Sequence, residues 1–208
     1  MSSDTINSTK SSDSNQQPES LKLKPLSNVH HFAFRCRDAE QTRWFYEDVL
    51  GLTLVAAVED KRDFGEPGVE PQLFMHLFFE MPDGNYLAFF DDPDVAEEQH
   101  FMRKDSFDVH IALEAENETA LIAWQKHIAQ MGKTCIGPID HGFVKSMYMY
   151  DPNGLQVEIT CRVDNYSEIM GDMQSTVKNQ INAWTRKTRD KKIEKFGAAK
   201  IDKRGTST

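Results

Sequence analysis

The sequences FFEMPDGNYLA at residues 78–88 and YMYDPNGLQVE at residues 148–158 decide the fold, because the second repeats the pattern of the first. In each stretch a proline and a glycine lie between two apolar segments, which is typical of two strands joined by a turn. Superposing Gly84 on Gly154 aligns the prolines and the apolar positions on both sides. The sequence therefore predicts an internal duplication.

The first copy has the pattern strand, helix and three strands. Asp38 is a good N-cap for the helix, and Gly51 ends it. A polar loop is expected from Glu59 to Pro71. The predicted elements are the strand Val29–Cys36, the helix Ala39–Leu50, and the strands Leu52–Val58, Gln72–Glu80 and Asn85–Asp91.

The second copy repeats this order, with Asn117 and Gly132 bounding its helix. The two copies predict an α+β fold of tandem βαβββ modules, at about 26–92 and 105–162, that form a curved, barrel-like mixed sheet. The predicted elements are the strand Phe107–Leu113, the helix Glu118–Met131, and the strands Thr134–Ile136, Val144–Tyr150 and Leu155–Cys161.

Two flanking segments lie outside the duplication. Residues 1–25 are polar and lack periodicity, so we expect a disordered tail. Residues 163–208 predict an amphipathic helix and then a basic tail. This helix is expected to pack on its own domain or on a twin subunit, and a role as a lid or a partner-docking element is the alternative. Its apolar stripe consists of Ile169, Met173, Val177, Ile181 and Trp184.

Composition restricts the class of protein. A chain of 208 residues fits one domain with tails, and its formal charge of -9 argues against binding nucleic acid. No run approaches the roughly 20 apolar residues that cross a bilayer, so no membrane anchor or secretory signal is expected. Three cysteines without a CxxC pair fit reduced thiols. We expect a cytoplasmic protein with a small-molecule partner.

The duplication singles out residues that could bind a metal. It superposes His31 on His110 and Ala88 on Glu158. If the two sheets close on each other, the two histidines meet and Glu158 adds a carboxylate. Two His and one carboxylate form the triad that holds Fe(2+) with open positions, although zinc hydrolysis would use similar ligands. His30 is expected to point to the opposite face of the strand.

A family resemblance supports this interpretation. The stretch HFAFRCRDAEQTRWFYEDVLG at residues 31–51, followed by His110 and the closing YMYDPNGLQVE, resembles the signature of the glyoxalase, bleomycin-resistance and extradiol-dioxygenase superfamily. This superfamily is also called vicinal oxygen chelate (VOC). The resemblance covers most of residues 28–162, and it is specific for the fold and less specific for the reaction.

Within the superfamily, the ligand count favours one reaction. Glyoxalase-like isomerases typically fill four ligand positions, and the fourth falls here on Ala88. Type I extradiol dioxygenases keep only His, His and Glu. The resemblance therefore implies a non-haem Fe(2+) dioxygenase, with Mn(2+) or another divalent metal as the alternative, that cleaves a catechol-like aromatic substrate with O2. A metal-dependent isomerase, epimerase or lyase and a metal-free binding protein of the drug-resistance type are the other hypotheses.

Three further residues are candidates for catalysis. The resembling dioxygenases place a tyrosine ten residues before the Glu ligand, and Tyr148 occupies that position. Phe78 is equivalent to Tyr148 in the duplication, so if Tyr148 faces inward, Phe78 does too. His76 lies two residues before Phe78 on the same strand and would share that face. Either His76 or His141 could accept or donate a proton near neutral pH.

Five phenylalanines are expected to line the mouth of the site, which would suit an aromatic substrate. A homodimer is expected, because pairing would cover the exposed edges of open sheets. Whether the halves close within one chain or between two subunits stays open at this level. The expected lining residues are Phe64, Phe74, Phe78, Phe89 and Phe143.

Overall fold

The computed structural model describes residues 26–63, 65, 68, 70–103 and 108–202, so the predicted disordered tail lies outside the described residues. The first module begins with a strand and a short helix that continues into a π-helical segment. Its elements are β1 (His31–Cys36), α1 (Ala39–Arg43), the π-helical segment Trp44–Val49, β2 (Thr53–Arg62), β3 (Gln72–Glu80) and β4 (Tyr86–Asp91).

A 3-10 turn at Glu98–Phe101 precedes the second module, which has the same order of elements. Two helices follow it. The elements are β5 (His110–Glu114), α2 (Glu118–Gln130), β6 (Ile136–Asp140), β7 (Val144–Tyr150), β8 (Gln156–Arg162), α3 (Tyr166–Phe196) and α4 (Ala198–Asp202).

The eight strands form two four-stranded mixed sheets, in the orders β1-β4-β3-β2 and β5-β8-β7-β6. The first strand of each module pairs in parallel with the last, and the remaining pairs are antiparallel. In the first module Ala88 pairs with Phe78. In the second module Glu158 pairs with Tyr148. These equivalent registers confirm the duplicated α+β fold that the sequence predicts.

The two modules share one hydrophobic core. Strand alternation directs one face of each sheet towards the helices, and the side chains on those faces pack together. We call the opposite face of each sheet its outer face. The largest buried apolar side chains come from both modules and include Phe45, Phe79, Phe89, Leu121, Ile128, Met147 and Val157.

A buried polar network fixes the junction between the modules. The Tyr46 hydroxyl donates to Asp151 Oδ2 at 3.1 Å, and the Asn153 amide donates to the same oxygen at 2.9 Å. The backbone N–H of Arg37 donates to Asn153 Oδ1 at 2.8 Å. Burial raises the pKa of Asp151 and raises the pKa of Tyr46 well above its usual value. Because breaking this network would leave buried polar groups without partners, it holds the modules in one relative position.

Three predicted elements differ clearly from those in the structure. Strand β2 continues to Arg62, where a loop was expected, because Glu59–Arg62 pair with the first residues of β3. Strand β6 begins at Ile136 and includes Pro138, which an edge strand tolerates since its N–H side needs no partner. The single helix expected at Ala39–Leu50 changes to π-helical hydrogen bonding at Trp44.

The predicted C-terminal helix is present as α3, which has 31 residues. None of these residues, all of which the structure describes, is buried. Contacts with the domain lie at its start, where the Tyr166 ring is near Phe143 and beneath the Arg162 guanidinium. Within the described part of the chain, no helix combines the length and apolar character needed to span a membrane.

Candidate metal and substrate site

The outer face of the second module brings together two of the predicted metal ligands. His110 begins β5, and Glu158 lies on the neighbouring strand β8. His110 Nε2 is 3.0 Å from Glu158 Oε2. The Glu158 side chain is only 8 % exposed, whereas His110 is more accessible. A buried carboxylate beside an accessible imidazole is suited to binding a cation.

The spacing of these atoms fits a shared metal ion. Nitrogen and oxygen ligands lie about 2.1 Å from a divalent transition metal, so two ligands at right angles are about 3.0 Å apart. His110 Nε2 and Glu158 Oε2 have this separation. The two side chains could therefore occupy adjacent positions on a metal ion without moving far.

Tyr148 and His141 form a pair beside these ligands. Tyr148 lies opposite Glu158 in the β7–β8 ladder, and its ring centroid is 6.3 Å from that of His110. Its hydroxyl is 2.8 Å from His141 Nε2. Desolvation and then the neighbouring Glu158 carboxylate raise the pKa of Tyr148, so the hydroxyl keeps its proton at neutral pH. His141 is exposed and can exchange protons with solvent.

His31, the third predicted ligand, lies on the outer face of the first module. The register of β1, β4 and β3 places it on the same face as Ala88 and Phe78. Its ring is 6.1 Å from that of Phe78. His30 precedes β1, so strand alternation does not govern it, and its Nδ1 lies 2.9 Å from His31 Nδ1. The expectation that His30 points to the opposite face was therefore wrong.

His76 lies on this outer face too, between two aromatic rings. It stacks on Phe90 with ring centroids 3.8 Å apart and contacts Phe78 at 4.1 Å. Burial and the nearby His31 lower the pKa of His76, so the neutral ring is favoured. Its buried Nε2 has no hydrogen-bond partner among the described residues. A neutral imidazole with an unused nitrogen can accept or donate one hydrogen bond to a ligand.

The described residues of these two outer faces do not combine into one metal site within one chain. Among the residues that the structure describes, which include His31, His110 and Glu158, no group of three or more His, Cys, Asp and Glu side chains is placed to hold a metal ion. The structure thus brings His110 together with Glu158 and leaves His31 on the other module.

The structure adds one polar residue that sequence reasoning missed. Gln156 pairs with His110 and with Tyr150 across neighbouring strands, so it shares their outer face. Its buried Oε1 has no hydrogen-bond partner in the described part of the chain. The available signal was its position two residues before Glu158, which strand alternation places on the same face.

The expected aromatic lining is only partly present. Phe74 and Phe78 belong to the aromatic cluster around His76 and Phe90. Phe89 was wrongly assigned to the mouth, because it is fully buried in the shared core against Tyr46. Two other predicted residues do not extend this cluster: Phe143 contacts the start of α3, and Phe64 lies outside the described residues.

The fold and the two outer faces define a duplicated βαβββ protein with candidate ligands at equivalent strand positions. Residues 28–159 match the family described as the Glyoxalase/Bleomycin resistance protein/Dioxygenase superfamily. The chain belongs to this superfamily, which confirms the broader part of the resemblance. No curated protein matches the chain.

Several solved structures are similar to this chain. A glyoxalase/dioxygenase from Nostoc punctiforme is 22% identical, with 77% of this chain and 100% of that chain covered, and a TM-score of 0.49. A glyoxylase/bleomycin resistance protein/dioxygenase domain from Frankia sp. EAN1pec is 16% identical, with 69% and 99% covered and a TM-score of 0.50. A lactoylglutathione lyase from Agrobacterium tumefaciens is 20% identical, with 66% and 95% covered and a TM-score of 0.47.

Proposed function

We propose that this protein is a non-haem Fe(2+) dioxygenase that cleaves the ring of a catechol-like aromatic compound with O2. The observation that carries the proposal is the His110–Glu158 pair, 3.0 Å apart, with the Tyr148–His141 pair beside it on the same outer face. The first pair supplies metal ligands and the second a route for a proton. Their proximity supports an enzyme rather than a metal-free binding protein.

The proposed ligands are His31, His110 and Glu158. The fourth ligand of an isomerase would fall at Ala88, which is fully buried and pairs with Phe78 and Ala33. None of these three side chains has a donor atom, so this position adds no fourth ligand to His31, His110 and Glu158. Such a set suits Fe(2+), or Mn(2+) as the alternative, and leaves coordination positions for substrate and O2. When bound, the metal would supply the electron transfer between substrate and O2.

A second copy of the chain is the proposed source of the missing histidine. The shared core and the Tyr46–Asp151 hydrogen bond hold the two modules of one chain in position. In this arrangement His31 does not join His110 and Glu158 in one metal-binding group among the described residues. In a symmetric dimer, the outer face of the first module of one subunit can lie over that of the second module of its partner. Two equivalent sites then form, each with ligands from both subunits.

This arrangement also explains why an aromatic substrate is proposed. The outer face of the first module presents the stacked rings of His76 and Phe90, flanked by Phe74 and Phe78. In the proposed dimer these rings face the His110–Glu158 pair. A flat substrate could stack on the rings while its oxygens point towards the polar module.

The residues beside the ligands would bind the substrate oxygens and carry protons. Tyr148 keeps its proton and can donate a hydrogen bond to an anionic oxygen. His141, 2.8 Å from that hydroxyl, can accept a proton and release it to solvent. His76 and Gln156 each offer a buried polar atom without a described partner to a ligand that covers the outer faces.

The proposal is tested by metal analysis and O2 uptake. Protein purified without oxygen is analysed for metals, and O2 consumption is then measured with a panel of catechols. We expect iron in the wild type and loss of both iron and O2 uptake in Glu158→Gln. Glu114→Gln is the matched control, because Glu114 is exposed on the neighbouring strand β5 and pairs with Arg162. This control is expected to retain iron and uptake.

Two other results would change the assignment. Nickel, zinc or cobalt with no O2 consumption would contradict the dioxygenase and favour an isomerase or lyase of the same fold. Absence of any bound metal, in protein that also fails to bind added Fe(2+), would contradict the ligand set and favour a small-molecule binding protein.

A further inference from the structure

Helix α3 presents an apolar stripe that its own domain leaves uncovered. Tyr166 and its neighbours anchor the helix at its start, and the stripe then runs along a helix of about 46 Å. Val177 is 51% exposed and Trp184 is 56% exposed. Large apolar side chains at this exposure mark a surface that another molecule covers. The stripe, called here the α3 stripe, comprises Met170, Met173, Val177, Ile181 and Trp184.

The α3 stripe is symmetric about Val177. The spacings along it are three, four, four and three residues, so they read the same in both directions. The residues between also match: Gln174 and Gln180 are equally far from Val177, and so are the small residues Gly171 and Ala183. A surface with this symmetry is complementary to a second copy of itself, as an isologous twofold interface requires.

The charge distribution selects the antiparallel orientation. Residues 166–177 contain two acidic residues and no basic ones, whereas residues 178–196 contain seven basic and two acidic residues. A parallel pair would place the two basic halves side by side, which is unfavourable. An antiparallel pair centred on Val177 places residues 178–188 along the acidic half of the other helix. This stretch contains three basic residues, Lys178, Arg186 and Lys187, and no acidic ones.

We infer that α3 is an association surface for a second copy of this chain, paired antiparallel about a twofold axis at Val177. Met173 of each copy then lies opposite Ile181 of the other, and Met170 lies opposite Trp184. This inference does not depend on the metal or on the reaction, since none of these residues lies on an outer face of the sheets.

Disulfide cross-linking tests the inference directly. Full-length Met173→Cys and Ile181→Cys proteins, carrying tags of different mass, are mixed and mildly oxidised. We expect a disulfide between the two variants and none within either variant alone. Residues 173 and 181 of one helix are about 12 Å apart along its axis, so an antiparallel pair holds like positions too far apart to bridge.

Two controls define the background. The first control is a mixture of Ser175→Cys and Asn179→Cys. These two positions are also equally far from Val177, but both lie on the far side of the helix, so the mixture should not cross-link. The wild type reports any contribution from Cys36, Cys135 and Cys161. Cross-links within the single variants in place of the mixture would overturn the antiparallel arrangement, and cross-links in no sample would overturn the pairing.

Sedimentation provides a second measurement that does not rely on cysteines. Val177→Lys places two like charges at the twofold axis and is expected to weaken self-association at least tenfold. Asn179→Lys adds the same charge on the far side and should leave association unchanged. Equal association of the two variants would contradict the proposal, and circular dichroism checks that both remain helical.

Discussion

Gly154 lies in the turn before β8, and Gly84 is its counterpart in the first module. Replacing Gly154 should lower the free energy of unfolding more than replacing Gly84. Gly154 and Gly84 are equivalent in the duplication, and both have positive φ, at 74° and 79°. A Cβ at Gly84 meets nothing within 4 Å. A Cβ at Gly154 would lie 3.0 Å from the carbonyl carbon of Phe101 and closer still to its oxygen. The backbone would have to move, although the buried Phe101 ring, beneath the Arg37 guanidinium, holds it in place.

These contacts give different magnitudes for the two substitutions. Gly84→Ala should cost about 1–2 kcal/mol, because a side chain disfavours positive φ. Gly154→Ala carries this cost and a clash of about 1–3 kcal/mol. The added clash should lower the Tm of Gly154→Ala by about 2–12 °C more than that of Gly84→Ala, at roughly 2–4 °C per kcal/mol. Urea denaturation and thermal melts of the two variants measure this difference. Equal destabilisation would refute the close approach of Phe101.

Three further predictions concern the junction and the site. Tyr46→Phe removes a buried hydrogen bond to Asp151 and should cost about 1.5–3 kcal/mol in urea denaturation; a loss below about 0.5 kcal/mol would contradict the junction. Burial raises the pKa of Asp151 above its ordinary 3.8, so its folded form holds the proton more tightly. Its contribution to the free energy of unfolding is therefore full below pH 3.8 and is lost as pH rises through the folded pKa. In urea denaturation, the stability advantage of the wild type over Asp151→Asn should shrink over that pH range. An advantage that grows with pH would contradict a raised pKa of Asp151. Tyr148→Phe should lower kcat for O2 uptake by about 10²–10⁴-fold and leave iron content intact, whereas unchanged kcat would remove the Tyr148–His141 pair from the proposed chemistry.

The hairpins could be predicted from sequence because local chemistry determines them. The Pro and Gly residues fix each turn, and apolar alternation fixes the strands on both sides. Strands β3 and β7 accordingly have the bounds that the sequence predicts. The polar end of β2 carried no such signal. Glu59–Arg62 are exposed and join the sheet only because β3 offers backbone partners there.

For the candidate site too, the sequence predicts relations within one sheet and does not predict how the two modules pack. The duplication singled out His110 and Glu158, and the family resemblance added Tyr148. The registers of β5, β7 and β8 place these three residues on one face, because these are relations within one sheet. The position of His31 relative to them depends on how the modules pack. That packing uses the contacts of Tyr46 with Asp151 and of Arg37 with Asn153, across more than 100 residues of sequence. Periodicity carries no information on contacts of that range.

The position of Phe89 shows that residue type alone does not predict which side chains line the site. An abundance of phenylalanine suggested an aromatic mouth, but alternation along β4 places Phe89 in the core and Phe90 on the outer face. The aromatic cluster that the structure does show is centred on His76 and Phe90. Its existence follows from cross-strand pairing, which fixes which rings become neighbours.

The most direct test of the central claim is complementation between two defective subunits. His31→Ala and His110→Ala are co-expressed with different tags, and iron content and O2 uptake are measured on the mixed assembly. If each site takes His31 from one subunit and His110 with Glu158 from the other, every mixed dimer contains one intact site of its two. The mixed dimers should then recover roughly half of the wild-type iron and activity. Each variant expressed alone should have neither. Folded mixed dimers without iron and without O2 uptake would contradict a metal site built from two copies of this chain.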